Sequence, residues 1–122
     1  MSEKAVLSGL LSLVDEATGN TVFSYKLEDV QAAITGLLEH NKSEIQLAAS
    51  ATDEAINFGG VTVPKIVFIY IKSGDGNVTV KHDSNTNPIT VEKSMILFGK
   101  ISTVTISNPD AVAKTIEVFV AG

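Results

Sequence analysis

Cysteine, arginine and tryptophan are all missing from this chain of 122 residues. Without cysteine there are no disulfides, no thiolate metal sites and no cysteine nucleophile. Without arginine there is no planar fork to read guanine edges or clamp phosphates in two places at once. The nine basic residues are lysines scattered singly from Lys4 to Lys114, and the net charge is −5. Nucleic acid is therefore not an expected partner. No apolar run nears the roughly 18 residues that a membrane helix needs, so no membrane partner is expected either. The opening MSEKAVLSGLLSLVDEATGN carries Glu3 and no small-residue cleavage signal, and does not read as a signal peptide. With no tryptophan and only Tyr25 and Tyr70, of which Tyr70 is expected to be buried, little ring surface is left for stacking sugars.

Enzyme signatures are equally scarce. No Gly-x-Ser-x-Gly elbow is present, and SGDG and FGG lack the lysine and helix that complete a phosphate loop. His40 and His82 are the only histidines. His82 and Asp83 are neighbours, so in a continuing strand their side chains point apart, and no triad is expected. The acid pairs Asp15-Glu16, Glu28-Asp29 and Asp53-Glu54 are each adjacent in sequence, in turns or at a helix start. Nothing nominates two acids facing each other across a cleft. No catalytic residue and no cofactor is expected. Two matches to the glycosylation acceptor pattern, Asn41-Lys42-Ser43 and Asn77-Val78-Thr79, read as coincidence without a secretion signal.

One stretch does suggest a cation. DSNTNP (83–88) places Asp83, Asn85 and Asn87 at alternate positions, as the start of a calcium loop does. The pattern then fails. Pro88 stands where the loop needs a turning glycine, and Ser94 where it needs a bidentate glutamate. Asn and Asp also recur in turns because they bond their own backbone and tolerate left-handed dihedrals. The expectation is a polar loop joining two strands, with Asp83, Asn85 and Asn87 as the one candidate cation site.

What the sequence has in quantity is β-strand. It is 44% hydrophobic, enough for a core without staples. From Glu44 onward the period is two. EIQLAA sets Ile45 and Leu47 on one face, and KIVFIYIK (65–72) is apolar on both, as in a central strand. NVTVKH sets Val78 and Val80 inward, and the SGDG before it reads as a hairpin turn. PITV, MILF, STVTIS and TIEVFV follow at the spacing of an antiparallel sandwich or barrel. Pro64, Pro88 and Pro109 all fall outside strand interiors. In the first 43 residues, a hairpin turning at ATGN (17–20) leads into the strand TVFSYKL. A short helix is expected from Asp29, as N-cap, to Leu38, on the face Val30, Ala33, Ile34, Leu37 and Leu38, with His40-Asn41 as its stop. Gly36 opposes that helix.

The run from EIQLAA to VFVAG (44–122), with its STVTISN strand (Ser102 to Asn108) before the last hairpin and its end on Val118 to Gly122, resembles small β-sandwich structural proteins of tailed-phage virions. The resemblance implies a capsid decoration, head–tail or tail component, located in the virion after assembly in the host cytoplasm. It also implies contacts with copies of itself and with other virion proteins, and no catalytic residues. Thr103, Thr105 and Ser107 give a neutral outward face suited to pairing with other subunits. Residues 1–61 carry nine acids and three lysines, a charge of −6, and residues 62–122 carry +1. An acidic end can meet a less acidic surface on a neighbouring copy. The sequence thus reads as one mainly-β domain: an antiparallel β-sandwich of jelly-roll type over 44–122, with an N-terminal hairpin and helix extension over 1–43. The expected function is that of a non-enzymatic structural subunit, a homo-oligomer and most simply a trimer. The rival is a carbohydrate- or receptor-binding module on the same fold.

Overall fold

The computed structural model describes residues 2–122. Contacts divide the chain into two compact units, one ending at Leu38 and one spanning Glu39–Gly122. In the first, β1 (Glu3–Ala5) pairs antiparallel with β4 (Ile34–Leu37), and β2 (Leu10–Val14) pairs antiparallel with β3 (Thr21–Lys26). The β2–β3 hairpin turns at the expected place. Asp15 Oδ1 accepts from the backbone N–H groups of Ala17 and Thr18, and Gly19 takes the left-handed φ of 75° that closes the turn. Those two donors hold the Asp15 carboxyl below its ordinary pKa, the Thr18 bond being the stronger influence.

The helix lies elsewhere than the sequence predicts. A single turn, α1 (Leu27–Val30), stands at the end of β3, and Ile34–Leu37, expected to be helical, is strand β4. The apolar spacing that suggested a helix face has no core to face, because Val30 and Leu38 are exposed and only Leu37 is buried. Gly36, at a φ of +70°, stands in a conformation that no α-helix contains.

The second unit has β5 (His40–Leu47), β6 (Glu54–Ala55), β7 (Ile66–Ser73), β8 (Val78–His82), β9 (Ile89–Val91), β10 (Ser94–Phe98), β11 (Val104–Ser107) and β12 (Lys114–Ala121). His40 and Asn41 open a strand rather than stop a helix. One sheet runs β10-β7-β12-β5 and the other β6-β11-β8-β9, with every pair antiparallel. First strand pairs with last, second with next to last, and so inward through β7–β10 to β8–β9. That nesting is one long hairpin rolled up on itself, the topology of an eight-stranded jelly roll.

Alternation fills the space between the sheets. Leu47, Val67, Ile69, Ile71, Ile116, Val118 and Val120 come from one sheet, and Val78, Val80, Val91, Val104 and Ile106 from the other. Each such side chain contributes about 1.5–3 kcal/mol of burial. The sandwich expected for this segment is thus what the chain forms.

Two details differ from expectation. SGDG does not turn a hairpin: β7 and β8 lie in different sheets, so it is the crossover that carries the chain over one end of the sandwich. Two runs of period-two residues around a Gly-Asp-Gly look alike in sequence whether they pair or cross. Tyr70 is half-buried rather than buried. It lies on the outer face of its sheet, its ring nearly parallel to that of Phe68 with centroids 6.5 Å apart, and Lys93 Nζ sits 4.9 Å above its centre. Among the described residues no helix is long and apolar enough to cross a membrane.

Candidate functional site

DSNTNP joins β8 to β9, a paired strand couple, and so is a polar connecting loop. It borders a cleft of about 360 Å3 on the outer face of the second sheet, lined by Asp53, Lys81, Asp83, Asn85, Thr103 and Thr105 among others. Asn87 does not line it. Lys81 Nζ and Asp53 Oδ1 lie 3.2 Å apart across this surface.

Asp83 anchors the loop. The strand ends at His82, and Asp83 takes a left-handed φ of 53°. The chain therefore bends between the two residues, and their side chains meet rather than point apart, His82 Nδ1 lying 2.8 Å from Asp83 Oδ2. The other carboxylate oxygen accepts from Ser102 N at 2.6 Å, and the Asp83 N–H donates to Thr103 O. The hydrogen bond from His82 and then the one from Ser102 hold the Asp83 carboxyl below its ordinary pKa. Asn85 Oδ1 accepts from Asn87 N at 3.0 Å. Both Asp83 carboxylate oxygens and Asn85 Oδ1 are engaged in fixing the loop itself. Among the described residues no group of three or more His, Asp or Glu side chains could hold a metal, and no hydroxyl is hydrogen-bonded to His82 to act as a nucleophile. His82 and Asp83 are about one-third exposed, and their pairing is best explained as a loop clasp.

Sequence reading missed the most constrained polar cluster. Lys114 opens β12 on its inward face and is 1% exposed, as is Asn108 just beyond β11. Lys114 Nζ donates to Asn77 O at 2.5 Å and Asn108 Oδ1 at 2.9 Å, and contacts Asp110 Oδ2 at 2.5 Å. Asn108 Nδ2 donates to Ala48 O and Val112 O, and its Oδ1 also accepts from Asp110 N. Three connections meet here: β5–β6, β7–β8 and β11–β12. The SGDG glycines follow from this packing. A Cβ on Gly74 would lie 2.7 Å from Lys114 Cγ, and one on Gly76 would collide with the Asp110 carboxylate. The signal was present in the sequence, since Lys114 shares the parity of Ile116, Val118 and Val120.

The other conspicuous surface is the β2–β3 hairpin, every residue of which is exposed. Register places Leu11 opposite Tyr25 and Leu13 opposite Phe23, so these four side chains share one face. Their exposures run from 46% to 57%, and the Phe23 and Tyr25 rings meet edge to face with centroids 5.5 Å apart.

No protein-family model matches the chain, and no curated protein matches it. It is similar to a solved structure described as "Bacillus endospore appendages form a novel family of disulfide-linked pili", at 22% identity and a TM-score of 0.47, over 68% of this chain and 83% of that one. A likeness of that size does not establish a shared fold. This chain, having no cysteine, cannot make the disulfide links named for those pili.

Proposed function

We propose that this chain is a non-enzymatic structural subunit that assembles with copies of itself through the apolar face of the β2–β3 hairpin. The observation that carries the proposal is that face. Leu11, Leu13, Phe23 and Tyr25 stand side by side in water, on a two-stranded ribbon of a kind that is barely stable alone. Contiguous exposed apolar surface of this sort marks an interaction site. A second copy suits it, because the outer face of the first sheet offers half-exposed apolar partners in Phe68 and Phe119, opposite one another in register, with Ile96 beside Phe68.

The virion-protein resemblance of residues 44–122 supports a place in a phage particle, as capsid decoration, head–tail joint or tail component, assembled in the host cytoplasm. Three copies is the stoichiometry we favour. Light scattering tests the reading. The full chain is expected to run as an oligomer, and the double variant Leu11→Lys/Phe23→Lys as a 12.9 kDa monomer. A full chain that stays monomeric at high concentration would sink the proposal.

The Phe68–Tyr70 pair favours a second reading, a sugar-binding module, since two near-parallel rings on an outer face form a stacking platform. It ranks below the first because Lys93 already covers the Tyr70 ring. Clear binding on a glycan array, lost in Phe68→Ala, would reverse the order.

A further inference from the structure

We propose that Lys114 and Asn108 condense into an intramolecular isopeptide bond, with Asp110 as the acid–base partner. The structure holds every part the reaction needs. The nucleophile, Lys114 Nζ, lies 2.9 Å from Asn108 Oδ1, the oxygen of the carboxamide whose carbon it would attack. The proton acceptor is Asp110 Oδ2, 2.5 Å from the same nitrogen. The oxyanion donor is the Asp110 backbone N–H, which already points at Asn108 Oδ1 from 3.1 Å. Ala48 O and Val112 O hold the leaving nitrogen, Nδ2, at 3.1 and 2.7 Å. Lys114 and Asn108 are both 1% exposed, which shields the amine and the carboxamide from bulk water, while the Asp110 carboxyl stands at the rim, 42% exposed.

The chemistry balances without an oxidant or co-reactant. A proton passes from the Lys114 ammonium to the Asp110 carboxylate. The amine lone pair forms a bond to Asn108 Cγ, and the carbonyl electron pair moves onto Oδ1, facing the Asp110 N–H. A proton moves from the attacking nitrogen to Nδ2, the Cγ–Nδ2 bond breaks, and the carbonyl re-forms. Ammonia leaves and takes the proton held by Asp110, so one lysine ammonium and one carboxamide become one secondary amide and one ammonium ion. The bond ties the end of β11 to the start of β12 at the point where three connections meet.

Intact mass of the purified full chain tests this directly, and the wild-type protein suffices. The expected result is a deficit of about 17 Da, one ammonia, against the sequence mass. After denaturation and trypsin, the deficit should reside in a fragment spanning 101–122 that is not cut after Lys114. Cyclisation of an asparagine onto the following backbone nitrogen loses the same mass, but Asn108 is the only asparagine in that fragment and precedes Pro109, which has no N–H to react. Full mass with ready cleavage after Lys114 overturns the proposal, as does a deficit confined to another fragment. Asp110→Ala is expected to show the full mass, and an unchanged deficit there would overturn the assignment of Asp110 as proton acceptor.

Discussion

Asp83 shows how much one residue's conformation decides. At a φ of 53° it ends β8 and brings its carboxylate to His82 and to Ser102 N. Asparagine tolerates the same left-handed backbone, so Asp83→Asn removes the charge and leaves the turn possible. The folded carboxyl has a pKa lower than the unfolded one, which lies near 3.9. Its contribution is therefore present above the unfolded pKa and is lost as pH falls through the folded pKa. Discounted for solvent exposure, the substitution should cost about 1 kcal/mol at pH 7. Urea unfolding at pH 7 and at about pH 3 should show that difference shrinking on acidification. A gap that persists at low pH would mean the carboxylate charge is not what fixes the loop. The spacing of Asp83, Asn85 and Asn87 showed where this loop stands, yet not that its oxygens turn inward on their own backbone, because that depends on the Ser102 segment 19 residues away.

At the scale of the element, legibility followed the core. The strands of the jelly roll could be read because a buried face imposes strict alternation, as in Val67, Ile69 and Ile71 of β7 or Ile116, Val118 and Val120 of β12. Residues 27–38 could not be read the same way, because a segment whose one buried apolar residue is Leu37 carries no period to trust, and a four-residue strand at Ile34–Leu37 passed for a helix face. Which strands pair was also out of reach, since SGDG serves a crossover as well as a hairpin. Lys114 broke an otherwise apolar parity, and its chemistry, like that of the buried Asn108, went unread. β7 is a central strand of its sheet: it lies between β10 and β12, and Ile69, at its middle, is 0% exposed. Ile69→Ala should cost about 3–4 kcal/mol. Denaturant unfolding of the full chain checks this through a shift in midpoint at unchanged slope. A loss below about 1 kcal/mol would show that the two sheets can close over the missing methylenes.

For the whole molecule, the decisive balance is between an apolar hairpin that favours association and a net charge of −5 that opposes it. Like-charged copies repel over a distance set by screening, about 30 Å at 0.01 M ionic strength and about 8 Å at 0.15 M. Burial of Leu11, Leu13, Phe23 and Tyr25 against a second copy is not screened in this way. The two contributions therefore respond oppositely to salt: raising it removes the repulsion and leaves the attraction. Light scattering at fixed protein concentration should show the average mass holding or rising from about 10 mM to about 500 mM NaCl. If instead the mass falls as salt is added, copies are held by the unlike charges of residues 1–61 and 62–122 rather than by the hairpin face. In Leu11→Lys/Phe23→Lys the mass should stay at that of one chain across the whole range, because screening cannot restore an apolar face that has been replaced by charge.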